Sequence, residues 1–525
     1  MIRAVLSAAV LSAVTLGAAA PRGREITGRD LVGRERPGRE LTGEDGLVKV
    51  YDAILDARFE DADAALKKAC PPAPPEACAV LAATRTWWRI QLDPESRSLD
   101  EQFTAEVERA IAATEAWTTR EPDNAEAHFY AGGAYAARVQ WRVLRDEKIA
   151  AARDGKRIKQ ALERAIALDA GLEDAYFGIG LYQYYADVAP AAAKVLRFLL
   201  MLPGGDKTEG LARMRRARAN GRLLQGEADY QLQIIYLWYE RRADLAVELL
   251  EALGDRYPRN PIFPAQLADV QDRYQHDLTA SLATWRDLLA DAKARRVNEP
   301  DLAAAQARLG IARCLDALDE TDAALVHLRA ALDAKPSRPD GAFAAAALAL
   351  GEGEDRLGHR DAALAAYRLA ASEAPAHDRT DIRSRAAERM RRAPDAGRAD
   401  GYRLSLEGWR ALEAGRAADA ETRLARAAAL DPRNPVFRYR HARARLAIGD
   451  DAGALAELDA AIAGARNAPA PIAAAAFVEA ARLEERLALR DRAIAHYEAA
   501  STWFGGAAET RAAAGRALTR LRAGK

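Results

Sequence analysis

Residues 203–209 combine two glycines with a lysine and a threonine, as a phosphate-binding loop does. The sequence PGGDKTE lacks the spacing of a Walker motif, however, and no strand precedes it. Asp206 followed three residues later by Glu209 is instead typical of a helix amino terminus. We therefore predict that Asp206 begins a helix and that this segment holds no nucleotide.

The histidines and cysteines indicate no metal centre and no nucleophile. Seven histidines and three cysteines are scattered along 525 residues, and neither HExxH nor GxSxG occurs. His276 and His377 each stand next to an aspartate, a pairing that is common in surface turns. The sequence therefore predicts no metal, no cofactor and no catalytic residue. An enzyme whose residues form no short motif stays open as an alternative.

Cys70 and Cys78 flank the proline-rich segment PPAPPEA. In an oxidising compartment they can close a short loop, which would stabilise the protein by about 2.5 kcal/mol in the chain-entropy model. We predict this disulfide. Cys314 lies among alanines of a predicted helix, where a buried small hydrophobic residue is expected.

The amino terminus has the pattern of an export signal. Arg3 precedes an uncharged, mostly apolar stretch that ends in small residues, so residues 1–20 are predicted to be a cleavable signal peptide and the protein to be periplasmic or secreted. Residues 23–42 then repeat five residues four times, as GREIT, GRDLV, GRERP and GRELT. This charged composition predicts a disordered linker over residues 21–44.

A longer period covers the rest of the chain. In residues 401–434, Gly408 and Ala420 stand where two helices would approach closely, and Gly415 stands at the turn between them. Ala427 stands where the pair would pack on the next repeat. This 34-residue unit resembles the tetratricopeptide repeat, and the resemblance extends over residues 43–507. It implies an all-α fold, an α-solenoid of helix–turn–helix repeats wound into a right-handed superhelix.

The repeats predict two blocks. The first spans residues 45–378 and includes two expanded repeats, one over residues 125–170 and one that starts at residue 171. Residues 379–400 interrupt the period with a basic helical stretch, which we interpret as a linker or capping helix, and residues 401–525 form the second block.

The resemblance implies a concave groove lined by the first helix of each repeat. Its positions correspond here to Tyr182, Ile235, Trp238, Tyr239, Tyr402, Trp409 and Tyr439. Exposed aromatic residues at such positions would anchor a peptide or stack on a sugar; the alternative is that neighbouring repeats bury them. The sequence thus predicts a non-catalytic exported scaffold that binds an extended peptide or partner protein. A glycan-binding protein and an enzyme with a site hidden in the expanded repeats are the alternatives.

Charge and hydropathy limit the class of partner. The chain carries 77 basic and 77 acidic residues, and this balance argues against nucleic-acid binding. Residues 188–203 are the most apolar part of the mature chain, yet they are too short to span a bilayer. They are expected to pack inside an expanded repeat, with weak membrane contact as the alternative.

Overall fold

A computed structural model describes residues 40–189, 204–378, 380–392 and 395–523. Throughout these ranges the regular secondary structure is helical, which confirms the predicted all-α class. The predicted signal peptide, most of the linker and most of the apolar segment 188–203 lie outside the described residues. Within the described ranges, no helix is both long and apolar enough to cross a lipid bilayer.

The described residues divide into two compact units, with the boundary between residues 263 and 264. This division does not coincide with the predicted interruption at 379–400, whose described helix packs within the second unit. The first unit holds α1 Glu44–Leu55, α2 Phe59–Ala69, α3 Pro75–Leu92, α4 Asp100–Arg120, α5 Ala125–Leu144, α6 Lys148–Leu168, α7 Ala175–Val188, α8 Lys207–Asn220, α9 Gln225–Trp238 and α10 Ala243–Arg256.

Helix α11, Ile262–Arg273, begins at the division between the units. The second unit continues with α12 Leu278–Lys293, α13 Pro300–Ala317, α14 Thr321–Asp333, α15 Ala342–Arg356, α16 Arg360–Glu373, α17 Ile382–Arg391, α18 Ala396–Glu413, α19 Ala417–Leu430, α20 Pro435–Ala447, α21 Asp451–Ala463, α22 Ala470–Arg486, α23 Arg490–Thr502 and α24 Ala508–Ala523. Most consecutive helices pack against each other in both units.

The small residues of the repeat act as the sequence indicates. A Cβ atom added at Gly408 would lie 2.6 Å from Leu424 Cγ, so glycine is needed where α18 and α19 approach each other. Gly415 follows α18 with φ +76°, a left-handed conformation that favours glycine in the turn. Ala420 and Ala427 are fully buried in α19. The predicted helix–turn–helix unit is therefore confirmed at residue level.

The expanded repeats obtain their length in different ways. The unit at 125–170 has two long helices, α5 and α6, of 20 and 21 residues. In the next unit, α8 begins where the sequence predicts: the Asp206 side chain accepts hydrogen bonds from the amides of Thr208 and Glu209, at 2.9 and 3.0 Å. The glycine-rich segment therefore ends in a helix cap.

The predicted cysteine pair is joined in the structure. A disulfide links Cys70, which follows α2, to Cys78 in the first turn of α3. Cys314 is a free, buried residue of α13. The disulfide thus fastens the first hairpin to the helix that follows it.

The second unit has an extended apolar core that includes residues from α12 to α20. One cluster contains Trp285, Ile311, Leu328, Tyr402 and Phe437, each at most 6% exposed. Because these residues come from helices distant in sequence, the hairpins of this unit pack beyond their immediate neighbours. Its stability therefore depends on contacts between repeats as well as within them.

A paired glutamate makes the second unit sensitive to acid. Burial would raise the pKa of Glu457, but hydrogen bonds and charges from His441 and Arg438 lower it to about 2. A carboxyl group whose pKa is lower in the folded than in the unfolded state stabilises the fold at pH values above its unfolded pKa. That stabilisation is lost as the pH falls through its folded pKa. We expect Glu457→Gln to destabilise this unit by about 3 kcal/mol at pH 7. In urea unfolding, the difference between wild type and variant should disappear towards pH 2; a constant difference would contradict this origin.

Candidate functional site

Three of the seven predicted groove residues belong to the core, so their predicted exposure is wrong. Ile235, Tyr402 and Tyr439 are 0%, 6% and 7% exposed. Tyr402 is within hydrogen-bond distance of Thr321, their hydroxyl oxygens being 2.9 Å apart, and the Arg356 guanidinium lies over its ring. These side chains are buried, Tyr402 by contacts with helices distant in sequence, and they cannot anchor a ligand from solvent.

The other four groove residues are half-buried. Trp409 packs against Tyr439, with ring centroids 6.3 Å apart. Tyr239 packs edge-on against Tyr184 and Tyr185, at 5.8 and 5.5 Å, and burial raises its pKa to about 12. Tyr182 lies on α7 and Trp238 ends α9. Tyr239 and Trp409 thus belong to aromatic packing, and all four side chains are only partly exposed.

The inner helices of the first unit are themselves packed together by aromatic residues. Trp88 of α3 lies 4.8 Å from Tyr230 of α9, measured between ring centroids, and both rings also contact Phe263. Glu227 is buried beside them and accepts hydrogen bonds from Tyr51 and Gln231, both at 3.1 Å. Burial raises the pKa of this glutamate. The face that would form a groove in an open array is therefore occupied by the chain's own side chains.

An open cavity of about 500 Å³ lies elsewhere in the first unit. It is acidic: five of its lining residues carry a carboxyl group and, among the described residues that line it, none is basic. The apolar part of the wall comes from Trp117 and four smaller side chains. The lining consists of Glu40, Thr42, Trp117, Glu121, Pro122, Asp123, Asn124, Ala125, Glu126, Leu168, Asp169 and Leu172.

Three helix ends position this acidic cavity. Helices α4 and α6 end beside it, at Arg120 and Leu168, and carbonyl groups at helix carboxyl ends carry partial negative charge. Helix α5 begins there, and the Asn124 side chain caps it by accepting hydrogen bonds from the amides of Glu126 and Ala127. The loop between α4 and α5 is thereby held in a fixed conformation.

Local hydrogen bonds orient the carboxylates. Glu126 Oε1 accepts from both the amide and the hydroxyl of Thr42, each at 3.0 Å. Glu121 accepts from Asn124 Nδ2 at 2.8 Å, and hydrogen bonds from Asn124 and Trp117 lower its pKa. Asp123 forms an ion pair with Arg164 at 2.6 Å, with 82% of the aspartate side chain exposed. These contacts fix the orientation of the carboxylates, and that of Asp123 remains largely exposed.

Sequence reasoning missed the acidic cavity because its residues resemble ordinary repeat-turn residues. The segment from Glu121 to Glu126 reads EPDNAE, and proline, aspartate and asparagine are common where one hairpin ends and the next begins. The available signal was three acids within six residues. Nothing local indicates that Glu40 and Asp169 lie beside them.

Comparison with known proteins finds distant structural likenesses among solved structures. No protein-family model matches the chain, and no curated protein matches it. The helical-repeat fold matches that of tetratricopeptide proteins. Solved structures similar to this chain include the apo form of RapI, which is 13% identical over 81% of this chain and 98% of that one, with a TM-score of 0.29.

Two further similar structures are a tetratricopeptide repeat protein from Parabacteroides merdae and the TPR2AB domain of yeast Sti1 in complex with pHSP90. The Parabacteroides protein is 15% identical to this chain, over 57% of this chain and 98% of that one, with a TM-score of 0.25. The Sti1 domain is 12% identical, over 57% of this chain and 96% of that one, with a TM-score of 0.22. TM-scores this low carry no argument about a partner or a mechanism.

The arrangement of the cavity is suited to binding a cation. Oriented carboxylates, two helix carboxyl ends and a small apolar wall favour a positive group on an apolar stem. Within the described ranges, no group of three or more histidine, cysteine, aspartate or glutamate side chains is placed to hold a metal ion. The negative lining favours a cation over an anion as a ligand.

Proposed function

We propose that this protein is an exported, non-catalytic helical-repeat scaffold that binds a basic segment of a partner protein. The observation that carries the proposal is the acidic cavity of the first unit, with five carboxylates on its lining and no basic residue among the described ones. Arginine or lysine side chains meet its requirements, because each places a cation at the end of an apolar stem.

The size of the cavity supports a side chain as ligand. About 500 Å³ lies within the usual range for ligand pockets. A glycan is less suited, since sugars stack on the open face of an aromatic ring and Trp117 is 5% exposed, packed against Tyr130. The proposed ligand is therefore an extended basic peptide, with one or two side chains in the cavity.

Two features support the proposal of export. Residues 1–20 have the composition of a signal peptide, and Cys70 and Cys78 are placed to form a disulfide, a bond typical of oxidising compartments. Expression of the full chain with a reporter fused to its carboxyl end tests export directly. Reporter activity in the periplasm or medium supports the proposal, and activity confined to the cytoplasm would refute it.

Neutralising two exposed cavity acids should weaken basic-peptide binding. In the double variant Glu121→Gln/Asp123→Asn, we expect affinity for a labelled octapeptide of alternating arginine and alanine to fall about ten-fold, because each exposed charge pair contributes up to about 1 kcal/mol. Fluorescence anisotropy at low salt measures the dissociation constant. A matched peptide with glutamate in place of arginine should not bind the wild type.

Two acids outside the cavity provide the matched control. Asp61 and Asp146 have side chains 63% and 67% exposed and belong to the same unit. The double variant Asp61→Asn/Asp146→Asn should retain wild-type affinity. An equal loss of peptide affinity in both double variants would show a general charge effect. If the wild type bound a neutral oligosaccharide more tightly than the basic peptide, the glycan alternative would be favoured.

A further inference from the structure

The last of the four pentads reaches the acidic cavity. Its residues 38–42 read GRELT, and the structure describes this pentad from Glu40 onward. Glu40 and Thr42 line the cavity, whereas Leu41 between them is buried, with 3% of its surface exposed. The final residues of the five-residue repeat are therefore part of the cavity wall.

Thr42 holds a carboxylate that has no cation of its own. Its amide and hydroxyl both donate to Oε1 of Glu126, which is half-buried and forms no ion pair with any described residue. Three other acids of the lining do form ion pairs: Glu40 with Arg222 at 3.4 Å, Glu121 with Arg120 at 3.3 Å and Asp123 with Arg164 at 2.6 Å. A carboxylate partly removed from water is stabilised by a cation. Glu126 therefore offers an acceptor to a cation that the described residues do not supply.

The chain carries such cations directly before the cavity. Residues 23–39, here termed the pentad segment, contain five arginines and three acidic residues. Arg36 and Arg39 are the nearest of these arginines to Glu40 in sequence. An extended chain spans at most about 3.5 Å per residue, so Arg36 lies no more than about 21 Å from Thr42. The tether keeps both guanidinium groups near the cavity at an effective concentration on the order of millimolar.

We propose that Arg36 and Arg39 of the same chain occupy the cavity at Glu126, and that a basic segment of a partner has to displace them. The inference rests on the proposed function, because both require the cavity to bind cationic side chains. Charge complementarity and the position of Glu40 at the junction of segment and cavity select this occupant. The exposed carboxylates of Glu121 and Asp123 stay available for the first contact with a partner.

Removing the two arginines from the full chain should strengthen binding of a partner peptide. A resident segment that fills the site about four-fifths of the time lowers the apparent affinity of a competitor about five-fold. In Arg36→Gln/Arg39→Gln we therefore expect the arginine–alanine octapeptide to bind about five-fold more tightly than to the wild type, as measured by fluorescence anisotropy at low salt. The matched control is Arg24→Gln/Arg29→Gln, which changes the net charge equally and should stay within two-fold of the wild type. An equal gain in both variants would show a general charge effect and overturn the inference.

The glutamate provides a second test. Glu126→Gln removes the charge but keeps an oxygen that can accept from Thr42, so the local contact is retained. When Arg36→Gln/Arg39→Gln is added to Glu126→Gln, the five-fold gain in peptide affinity should disappear, because the resident arginines no longer have a charged acceptor. A gain of the same size in this background would overturn the contact with Glu126.

Covalent coupling locates the segment. In Arg36→Lys/Arg39→Lys, zero-length carbodiimide coupling followed by mass spectrometry should join the introduced amines to Glu126 within one chain. Cross-links confined to acids outside the cavity, or found only in covalent dimers, would overturn the intramolecular occupant.

The measurements separate this inference from the proposed function. If the wild type binds the octapeptide and Arg36→Gln/Arg39→Gln does not change its affinity, the inference fails and the proposed function stands. If neither the wild type nor either arginine variant binds the octapeptide, the proposed function fails and the inference fails with it.

Discussion

Replacing Asp154 by alanine is expected to lower the free energy of unfolding of the first unit by about 3 kcal/mol, because Arg138 loses its buried partner and keeps only the half-exposed Glu108. Asp154 is 2% exposed. Its carboxylate accepts two hydrogen bonds from Arg138, at 2.9 and 2.8 Å, and one from Arg142 at 2.6 Å. The cluster joins α5 and α6 of the expanded repeat.

Urea unfolding followed by tryptophan fluorescence measures this effect, since five of the eight tryptophans lie in the first unit. Glu163→Ala is the matched control on the same helix: its side chain is 49% exposed and pairs with Lys159 at 2.5 Å. We expect a change within about 0.5 kcal/mol for the control. A similar small change for Asp154→Ala would show that the buried cluster does not hold the expanded repeat together.

Replacing Tyr402 by alanine should destabilise the second unit by about 3–5 kcal/mol, the usual range for removal of a large aromatic side chain from a core. Tyr402 is 6% exposed and belongs to the core cluster of this unit. The substitution creates a cavity between α14, α15 and α18, which the surrounding helices fill incompletely. Hydrogen exchange of the second unit, or urea unfolding followed through Trp409, measures the loss.

The conservative variant separates packing from hydrogen bonding. Tyr402→Phe removes the hydroxyl contact with Thr321, while the Thr321 hydroxyl still donates to Asp316 at 2.5 Å. We therefore expect the free energy of unfolding to fall by only about 1 kcal/mol. If Tyr402→Ala left stability unchanged but abolished binding of a basic peptide, Tyr402 would be a groove residue, as the repeat pattern alone predicts.

Local sequence determines the helices and turns well. Gly415 marks a turn, Asp206 caps a helix, and Gly408 lies where two helices approach most closely, because each depends on residues within one hairpin. The register of a 34-residue repeat also predicts which face of a helix is turned towards neighbouring repeats. These features are decided by short-range geometry and hydrophobic periodicity.

Burial of the predicted groove could not be predicted in the same way. Whether Ile235 or Tyr402 is exposed depends on contacts with helices far away in sequence, and no local pattern reports them. Tyr51 and Glu227, which meet across 176 residues, illustrate this. The acidic cavity was missed for the same reason, since Glu40 and Asp169 approach the EPDNAE turn only in the folded unit.

The central claim, that the acidic cavity binds a basic segment, is tested most directly by locating a bound peptide. Carbodiimide coupling of a lysine-containing basic octapeptide, followed by mass spectrometry of the cross-linked fragments, identifies the acids that it contacts. We predict cross-links to Glu121, Asp123 or Glu126, lost in competition with excess arginine peptide. Saturable cross-links confined to acids outside the cavity, with none in residues 121–126, would contradict the account.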